Sequence, residues 1–526
     1  MERIPAELAS VIADNVGLTA FLALLEKGRS ATPRSWLYEK EPPNSVLNRW
    51  LESLQTLEQS SDPFVKKVLT FDREKLKVWG PQGAVPPLTT SIKKVDEYYS
   101  SPKASPAFSD PDWLQAIHDT RLDLFGPRCK LRPASYLKVV DDMRMRDTLS
   151  TNSGFPDFQR RSDPAVKSRA IADAASGKWI DYPAILLFRQ YFGKLRQVWM
   201  FPMATNLVEG SFTQPIMAAM RARAAQNRIA RDGLAPWTGF TDVKRVVSEW
   251  YADPNSYIFG GDFTGMDIHM RESQMEQVFC LLAPLFTAES RTLLHASLMN
   301  ANRIGLLLSR THWMPQGTNA HGLASGSNWT QLPETLFQFI LNRYMAAKMN
   351  TWFAMCAIGD DSATNTPISN YPMAPKLIPV YESVGMEANI SKQSDSPEEL
   401  TFLQRLFQRG YTKTGQVRAV YPTIRALETS VFPERWHKEN WNSNMFAVRQ
   451  YMILENCVDH PLFEEFVKFI VRGQKDLIPF AKLSAKALVK YQAEANLIPN
   501  LNSTYNQEKR DAGLADFESI KIAQAM

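Results

Sequence analysis

The stretch YIFGGDFTGMD at residues 257–267 reads as an apolar strand that ends in two carboxylates five residues apart, Asp262 and Asp267, followed by a helix-like segment. A second stretch, TWFAMCAIGDDS at 351–362, repeats the logic: an apolar run enters a Gly-Asp-Asp turn, which predicts a hairpin with Asp360 and Asp361 at its tip. If the two runs share one sheet, Asp262, Asp360 and Asp361 meet at one edge. Carboxylates so crowded repel unless divalent cations neutralise them. Mg²⁺ suits the site because it takes carboxylate oxygens, water and substrate phosphates together. Two such ions about 4 Å apart support in-line phosphoryl displacement, so the pattern points to making or breaking phosphodiesters.

Between these stretches lies HGLASGSNWTQLPE at 321–334, a small Ser-Gly loop running into an amphipathic helix expected over 335–348. Such a loop lets a backbone approach a nucleotide closely, and its side chains can exchange hydrogen bonds with a ribose. Taken singly, each piece is also an ordinary turn or helix cap. Their placement directly after uncharged strands, with the third element between, separates them from that reading.

The rest of the chain sets bounds. Its 526 residues are 44% hydrophobic and 22% charged, enough for several cores. Sixty Lys and Arg against 55 Asp and Glu leave only +5, too mild to announce a nucleic-acid partner. Locally the balance differs: residues 160–249 hold 14 Lys/Arg and 7 Asp/Glu, an excess of +7. Cys129, Cys280, Cys356 and Cys457 are widely spaced, without CxxC, as expected in a reducing compartment without structural zinc. No apolar run approaches the roughly 20 residues of a membrane span, and the N-terminus lacks a signal-type core, so a soluble intracellular protein is expected. Residues 11–27 predict one amphipathic helix, and a Pro-rich connector at 80–87 a boundary. Helical patterns dominate beyond 402, including 463–472 and 478–493, and the polar tail from Asn500 is expected to be disordered.

The ordered set of Asp-x4-Asp, Ser-Gly-x-x-x-Thr and Gly-Asp-Asp resembles motifs A, B and C of viral RNA-dependent RNA polymerases. TNSGFP at 151–156 resembles motif G, GKLRQVWMFP at 193–202 motif F, 385–392 motif D and FLQR at 402–405 motif E. The likeness spans about 150–406, and the Ser-Gly-Ser-x-x-Thr form is most like polymerases of small double-stranded RNA viruses, picobirnaviruses and then partitiviruses.

The resemblance implies an α/β (α+β) closed right hand of fingers, palm and thumb, with an antiparallel palm sheet flanked by helices. It implies an N-terminal extension at 1–79 bridging fingers and thumb, fingers at 80–249 with 270–318, palm at 250–269 and 319–400, thumb at 401–499, and a tail at 500–526. By the same likeness, Asp262, Asp360 and Asp361 hold two Mg²⁺ ions, replaceable by Mn²⁺, and Lys392 protonates the leaving pyrophosphate. Asp267, Ser325, Gly326, Asn328, Thr330 and Gln331 surround the incoming nucleotide, Lys194 and Arg196 grip its triphosphate, and Ser153, Gly154 and Arg405 touch RNA. The implied enzyme is an RNA-directed RNA polymerase that replicates and transcribes a viral genome in the virion interior or host cytoplasm. Its implied partners are RNA, nucleoside triphosphates and capsid protein, and its implied state is a monomer.

One position departs from plus-strand enzymes: nine residues after the motif B serine, where they commonly carry an Asn that helps read the ribose, stands Glu334, so either Gln331 or Asn328 takes that part or Glu334 lies on the outer helix face without sugar contact. A reverse transcriptase is the nearer alternative. Ile358 stands where such enzymes place Tyr, and Asp267 where they use a bulky ring. A catalytically silent RNA-binding, capsid-associated scaffold is the other, disfavoured because every acid is retained.

Overall fold

The computed structural model describes residues 1–145, 148–437, 441–496 and 513–526. Its sheets are built from β1 (Glu2–Arg3), β2 (Ala184–Tyr191), β3 (Lys194–Met200), β4 (Ser256–Gly261), β5 (Leu306–Leu307), β6 (His312–Met314), β7 (Ala354–Ile358), β8 (Asp361–Pro367) and β9 (Ser394–Asp395). One sheet runs β1-β6-β5-β2-β3, and a fully antiparallel one runs β7-β8-β4-β9. A further hairpin joins β10 (Glu399–Phe402) to β11 (Arg405–Gln408). Helices flank these sheets, as the α+β reading expects.

The second sheet positions the site. Every residue of β4 is buried, which explains its unbroken apolar character: a central strand covered on both faces has no polar side to show. β4 pairs with β8 and not with β7, in a register that sets Tyr257 opposite Thr366 and Gly261 opposite Ser362. Asp262 therefore leaves the sheet at the end where Asp361 enters it.

The N-terminal segment divides between two cores. Ile12, Leu18 and Leu22 pack with Ile185, Leu186 and Leu306 around the first sheet, whereas Val46, Trp50 and Leu54 pack with Phe446, Tyr451 and Phe466 among the C-terminal helices. The helix expected over 11–27 is broken. Ala6–Asp14 and Val16–Lys27 meet at 103° around Asn15, whose Oδ1 accepts from Leu18 N while its Nδ2 donates to Pro156 and Asp157 carbonyls. Those long-range bonds favour the break over continuation. The connector at 80–87 is no slack linker: Gly83 N donates to Gln190 O, Arg29 pairs with Val85, and the Gln82 amide donates to Phe432 O.

Two C-terminal expectations are corrected. The pattern at 478–493 is two helices, Leu477–Ala481 and Ala485–Asn496, interrupted near Lys482. Part of the tail lies outside the described residues, but Glu518–Gln524 forms a helix that buries Ser519, Ile520 and Ala523. Its first N–H groups, at Glu518 and Ser519, donate to the Glu455 carboxylate, and Gln524 donates to Ala481 O. Two buried apolar side chains, Ile520 and Ala523, and one capped end suffice to dock two turns, which overall polarity does not reveal.

A buried carboxylate joins the chain's two ends. Asp72, fully inaccessible on the helix Pro63–Arg73, accepts from Thr423 N and Oγ1, Ile424 N and His460 Nε2, so it caps the helix Thr423–Val431 from across the molecule. Trp50 Nε1 donates to the same Thr423 hydroxyl. Asp72→Ala orphans four donors at once and is expected to cost about 3 kcal/mol or more, read as a lower urea midpoint. An unchanged midpoint would remove Asp72 from the fold's main ties.

Candidate active site

At the tip of β7–β8 the chain reverses in two residues, with Ile358 opposite Asp361 and Gly359 at φ 59°. That left-handed value favours glycine, and it leaves Asp360 exposed at the apex. The turn is held from the helix Gln331–Lys348: Gly359 N donates to Thr335 Oγ1, and the Gln338 amide donates to Gly359 O. Asp262 stands beside it, exposed, its backbone gripped by Gln393, which accepts from Asp262 N and donates to Asp262 O.

The three acids sense one another. Partial loss of surrounding water and then Asp360 raise the Asp262 carboxyl, while Lys392 and Lys194 pull it back. Asp361 is pushed up to about 7, first by loss of surrounding water and then by Asp360 and Asp262. Asp267, raised mainly by burial and secondarily by Asp360, accepts the Tyr98 hydroxyl and its neighbour Ile268 N. Arg196 acts on both Asp361 and Asp267, which sets the exposed end of β3 over the acids.

The acid set suits a hard divalent cation. Among the described residues, no three carboxylate, imidazole or thiol groups close around a single point as they stand. Mg²⁺ draws much of its shell from water and phosphate, so an open, mutually repelling set of carboxylate oxygens fits its needs.

The Ser-Gly loop packs against β3. Trp199 N donates to Ser325 O, and Gly326, at φ 122°, sits where a Cβ would strike the Trp199 carbonyl. Ser325 is half-buried, and Gly326, Asn328 and Gln331 are exposed. Thr330 Oγ1 donates within the loop to Ser327 O. Beneath lies Glu209, on the helix Met203–Ala224, unmarked by any motif and 118 residues from its partner. Its carboxylate accepts from Ser327 Oγ, Asn328 N and the Asn206 amide, and Asn328 Nδ2 donates to Asn206 O. Burial pushes Glu209 up to about 7 against those hydrogen bonds and Arg161.

Several expectations are corrected. The helix expected from 335 begins at Gln331 and is buried almost all round, from Leu332 to Met345, instead of amphipathic. Glu334 is not on an outer face: it is 5% exposed, and a methyl on Gly359 would stand 3.3 Å from its Oε2. Burial first, then Asp360, Asp267 and Asp361, hold its carboxyl well above the usual range. Arg405, expected to touch RNA, is buried, donates to Ala419 O, Asn456 O and Asn456 Oδ1, and stacks over Phe240. An arginine so engaged is a structural rivet. Ser153 and Gly154 are buried too, Ser153 Oγ accepting from Gln159 N, and the exposed neighbours are Gln159 and Arg160. Part of the +7 at 160–249 is met by acids outside that stretch: Arg189 forks to Glu434, Lys244 meets Asp459 and Arg169 meets Asp157, while Arg228 and Arg245 share Asp232 and Glu249 within it. Lys194 and Arg196 stay exposed, and Lys392 stands exposed across from them beside Asp262.

Comparison with known proteins agrees with this geometry. The family model for viral RNA-dependent RNA polymerase matches residues 192–430. A potential RNA-dependent RNA polymerase of Human picobirnavirus is 27% identical over 485 residues, 88% of this chain and 86% of that relative. The crystal structure of the RNA-dependent RNA polymerase of a human picobirnavirus superposes with a TM-score of 0.81 at 23% identity, and its insertion-loop deletion mutant with 0.79 at 22%, each covering 99% of both chains. The fold is that of a closed right-hand polymerase, and these comparisons together give an RNA-directed RNA polymerase, a nucleotidyltransferase. Within that class the chain is similar to the polymerases of picobirnaviruses, small double-stranded RNA viruses. Among the described residues, no single helix is long and apolar enough to cross a membrane.

Glu209→Gln sets an amide N–H₂ against donors that now meet carboxylate oxygens. We expect a loss of about 1–3 kcal/mol in stability and slower nucleotide incorporation, measured by thermal melting and primer extension. Wild-type melting and rate together would discount the loop anchor.

Proposed function

We propose that this polymerase copies a viral RNA by two-metal, template-directed nucleotidyl transfer, in both replication and transcription of the genome. The observation that carries it is the meeting of Asp262, Asp360 and Asp361 at one end of the β4–β8 pair, facing the exposed cations Lys194 and Arg196. When bound by these carboxylates, Mg²⁺ or Mn²⁺ would lower the barrier by activating the 3′-hydroxyl and neutralising charge on the leaving oxygen.

The chain's own residues do the rest. Lys194 and Arg196 grip the triphosphate from β3, the guanidinium in a two-pronged fork. Lys392, beside Asp262, hands a proton to the departing pyrophosphate. Ser325, Gly326, Asn328, Thr330 and Gln331, with Asp267, bound the sugar pocket. Glu334 adds a buried carboxyl to its wall. Template specificity comes from base pairing, so the RNA path needs only sequence-tolerant contacts.

In the same reading residues 80–249 and 270–318 are fingers, 250–269 and 319–400 palm, and 401–499 thumb, with the C-terminal helix joining the thumb and residues 1–79 bridging it to the fingers. The enzyme acts as a monomer within a capsid or the host cytoplasm, with capsid protein as partner.

Asp360→Ala is expected to lower nucleotide incorporation at least about 10³-fold while RNA binding holds. Intact synthesis by that variant, or persistence of product in excess EDTA, overturns the metal assignment. Arg196→Ala is expected to raise KM for nucleoside triphosphates about 10-fold or more, the worth of one charged hydrogen bond, with ribonucleotides preferred over deoxyribonucleotides throughout. A preference for deoxyribonucleotides would favour the reverse transcriptase instead.

A further inference from the structure

The last residue of the helix Leu88–Tyr98 stands where β3, the Ser-Gly loop and the second acid of the first stretch come together. Tyr98 is 7% exposed, and its ring centre lies 6.3 Å from that of Trp199 on β3. Its carbonyl accepts from Gly322 N, at the head of the Ser-Gly loop, and from Arg271 Nη1, each at 2.8 Å. Its hydroxyl donates to Asp267 Oδ2, 169 residues away in the chain. No sequence motif marks this tyrosine.

The backbone of Asp267 is already fixed without it. Leu323 N donates to Asp267 O at 2.7 Å, and Gly322 passes so close that a Cβ there would stand 2.5 Å from the same carbonyl. What remains is rotation of the side chain. Asp360 repels the carboxylate and Arg196 attracts it, so a side chain free to turn would follow those charges. The Tyr98 hydroxyl on one oxygen and Ile268 N on the other hold it instead. Burial first and then Asp267 keep the Tyr98 hydroxyl well above its usual titration range, so it remains the donor. A carboxylate has about four acceptor sites, and these two bonds leave roughly one open on each oxygen. Asp267 is half-buried and not sealed, so an open acceptor is within reach of a ligand in the site.

We propose that Tyr98 is a positioning residue for the choice of sugar: by holding the Asp267 carboxylate in one orientation, it aims an open acceptor at the 2′-hydroxyl of the incoming nucleoside triphosphate. This rests on the reading that Asp267 bounds the sugar pocket. A ribose donates to the aimed oxygen and a deoxyribose has nothing to donate, so the enzyme's preference between them reflects the strength of that one bond. Strength depends on aim, because a hydrogen bond weakens steeply as its angle opens. Tyr98 itself touches neither the nucleotide nor the metal-binding acids and acts through Asp267 alone.

The test is incorporation of ATP and of 2′-deoxyATP by the full chain on a poly(U) template with an oligo(A) primer, read as the ratio of the two kcat/KM values. Both values come from one preparation, so incomplete folding of a variant lowers them alike and leaves the ratio unmoved. Tyr98→Phe keeps the ring and both bonds to the backbone carbonyl and removes only the hydroxyl. It is expected to lower the ATP to 2′-deoxyATP ratio about tenfold, the effect of one hydrogen bond to a charged group, with the loss on the ATP side. Asp267→Ala is expected to lower the ratio at least as far, and Tyr98→Phe added to it to lower the ratio no further, because the tyrosine has then nothing to act through. An unchanged ratio in Tyr98→Phe, whatever the fall in overall rate, overturns the inference and leaves Asp267 in the sugar pocket if Asp267→Ala still lowers the ratio. Additive losses in the double variant overturn it in the same way. An unchanged ratio in Asp267→Ala overturns the placement of Asp267 and this inference together.

Discussion

The pairing of Gly261 with Ser362 is the contact on which the site depends. It joins two stretches a hundred residues apart in one register, and a slip of one residue would turn Asp361 to the opposite face of the sheet. Once the register is set, Asp262, Asp360 and Asp361 cannot avoid one another. Burial first and their mutual repulsion second raise the Asp361 and Glu334 carboxyls, while Arg196 pulls Asp361 back and Lys392 and Lys194 pull Asp262 back. Backbone hydrogen bonds and burial of β4 outweigh that cost.

Holding such a cluster requires rigid surroundings, and the molecule provides them with buried polar ties that span long stretches of chain. Gln393 clamps Asp262, Thr335 and Gln338 clamp Gly359, and Glu209 clamps the Ser-Gly loop. Asp72 and Arg405 do the same for the C-terminal helices. Apart from the exposed Gln393–Asp262 clamp, each is a charged or polar group paired deep in the protein, where losing one partner costs far more than a surface pair would.

The acids were legible because each follows an uncharged strand directly, and the Ser-Gly loop because small residues precede an apolar helix. The hairpin, its two-residue turn and the mixed helix-and-sheet class came with them. Side-chain direction was not legible. Arg405 and Ser153 sit in recognisable motifs yet point inward, and Glu334 points into the site. The basic excess at 160–249 was a true count, but composition cannot tell an arginine held by Glu434 from one free to meet phosphate. The break at Asn15 and the docked C-terminal helix were missed for a related reason: their partners lie far away in sequence.

By itself, then, the order of residues determined the strands, the turn and the acids they carry, because these rest on local backbone preference and short-range hydrophobic pattern. Only the tertiary structure decided which charges remain exposed, which loop is anchored by Glu209 and that Glu334 turns toward the acids. Those outcomes turn on contacts between residues well separated in the chain, and no local pattern encodes the partner at the other end.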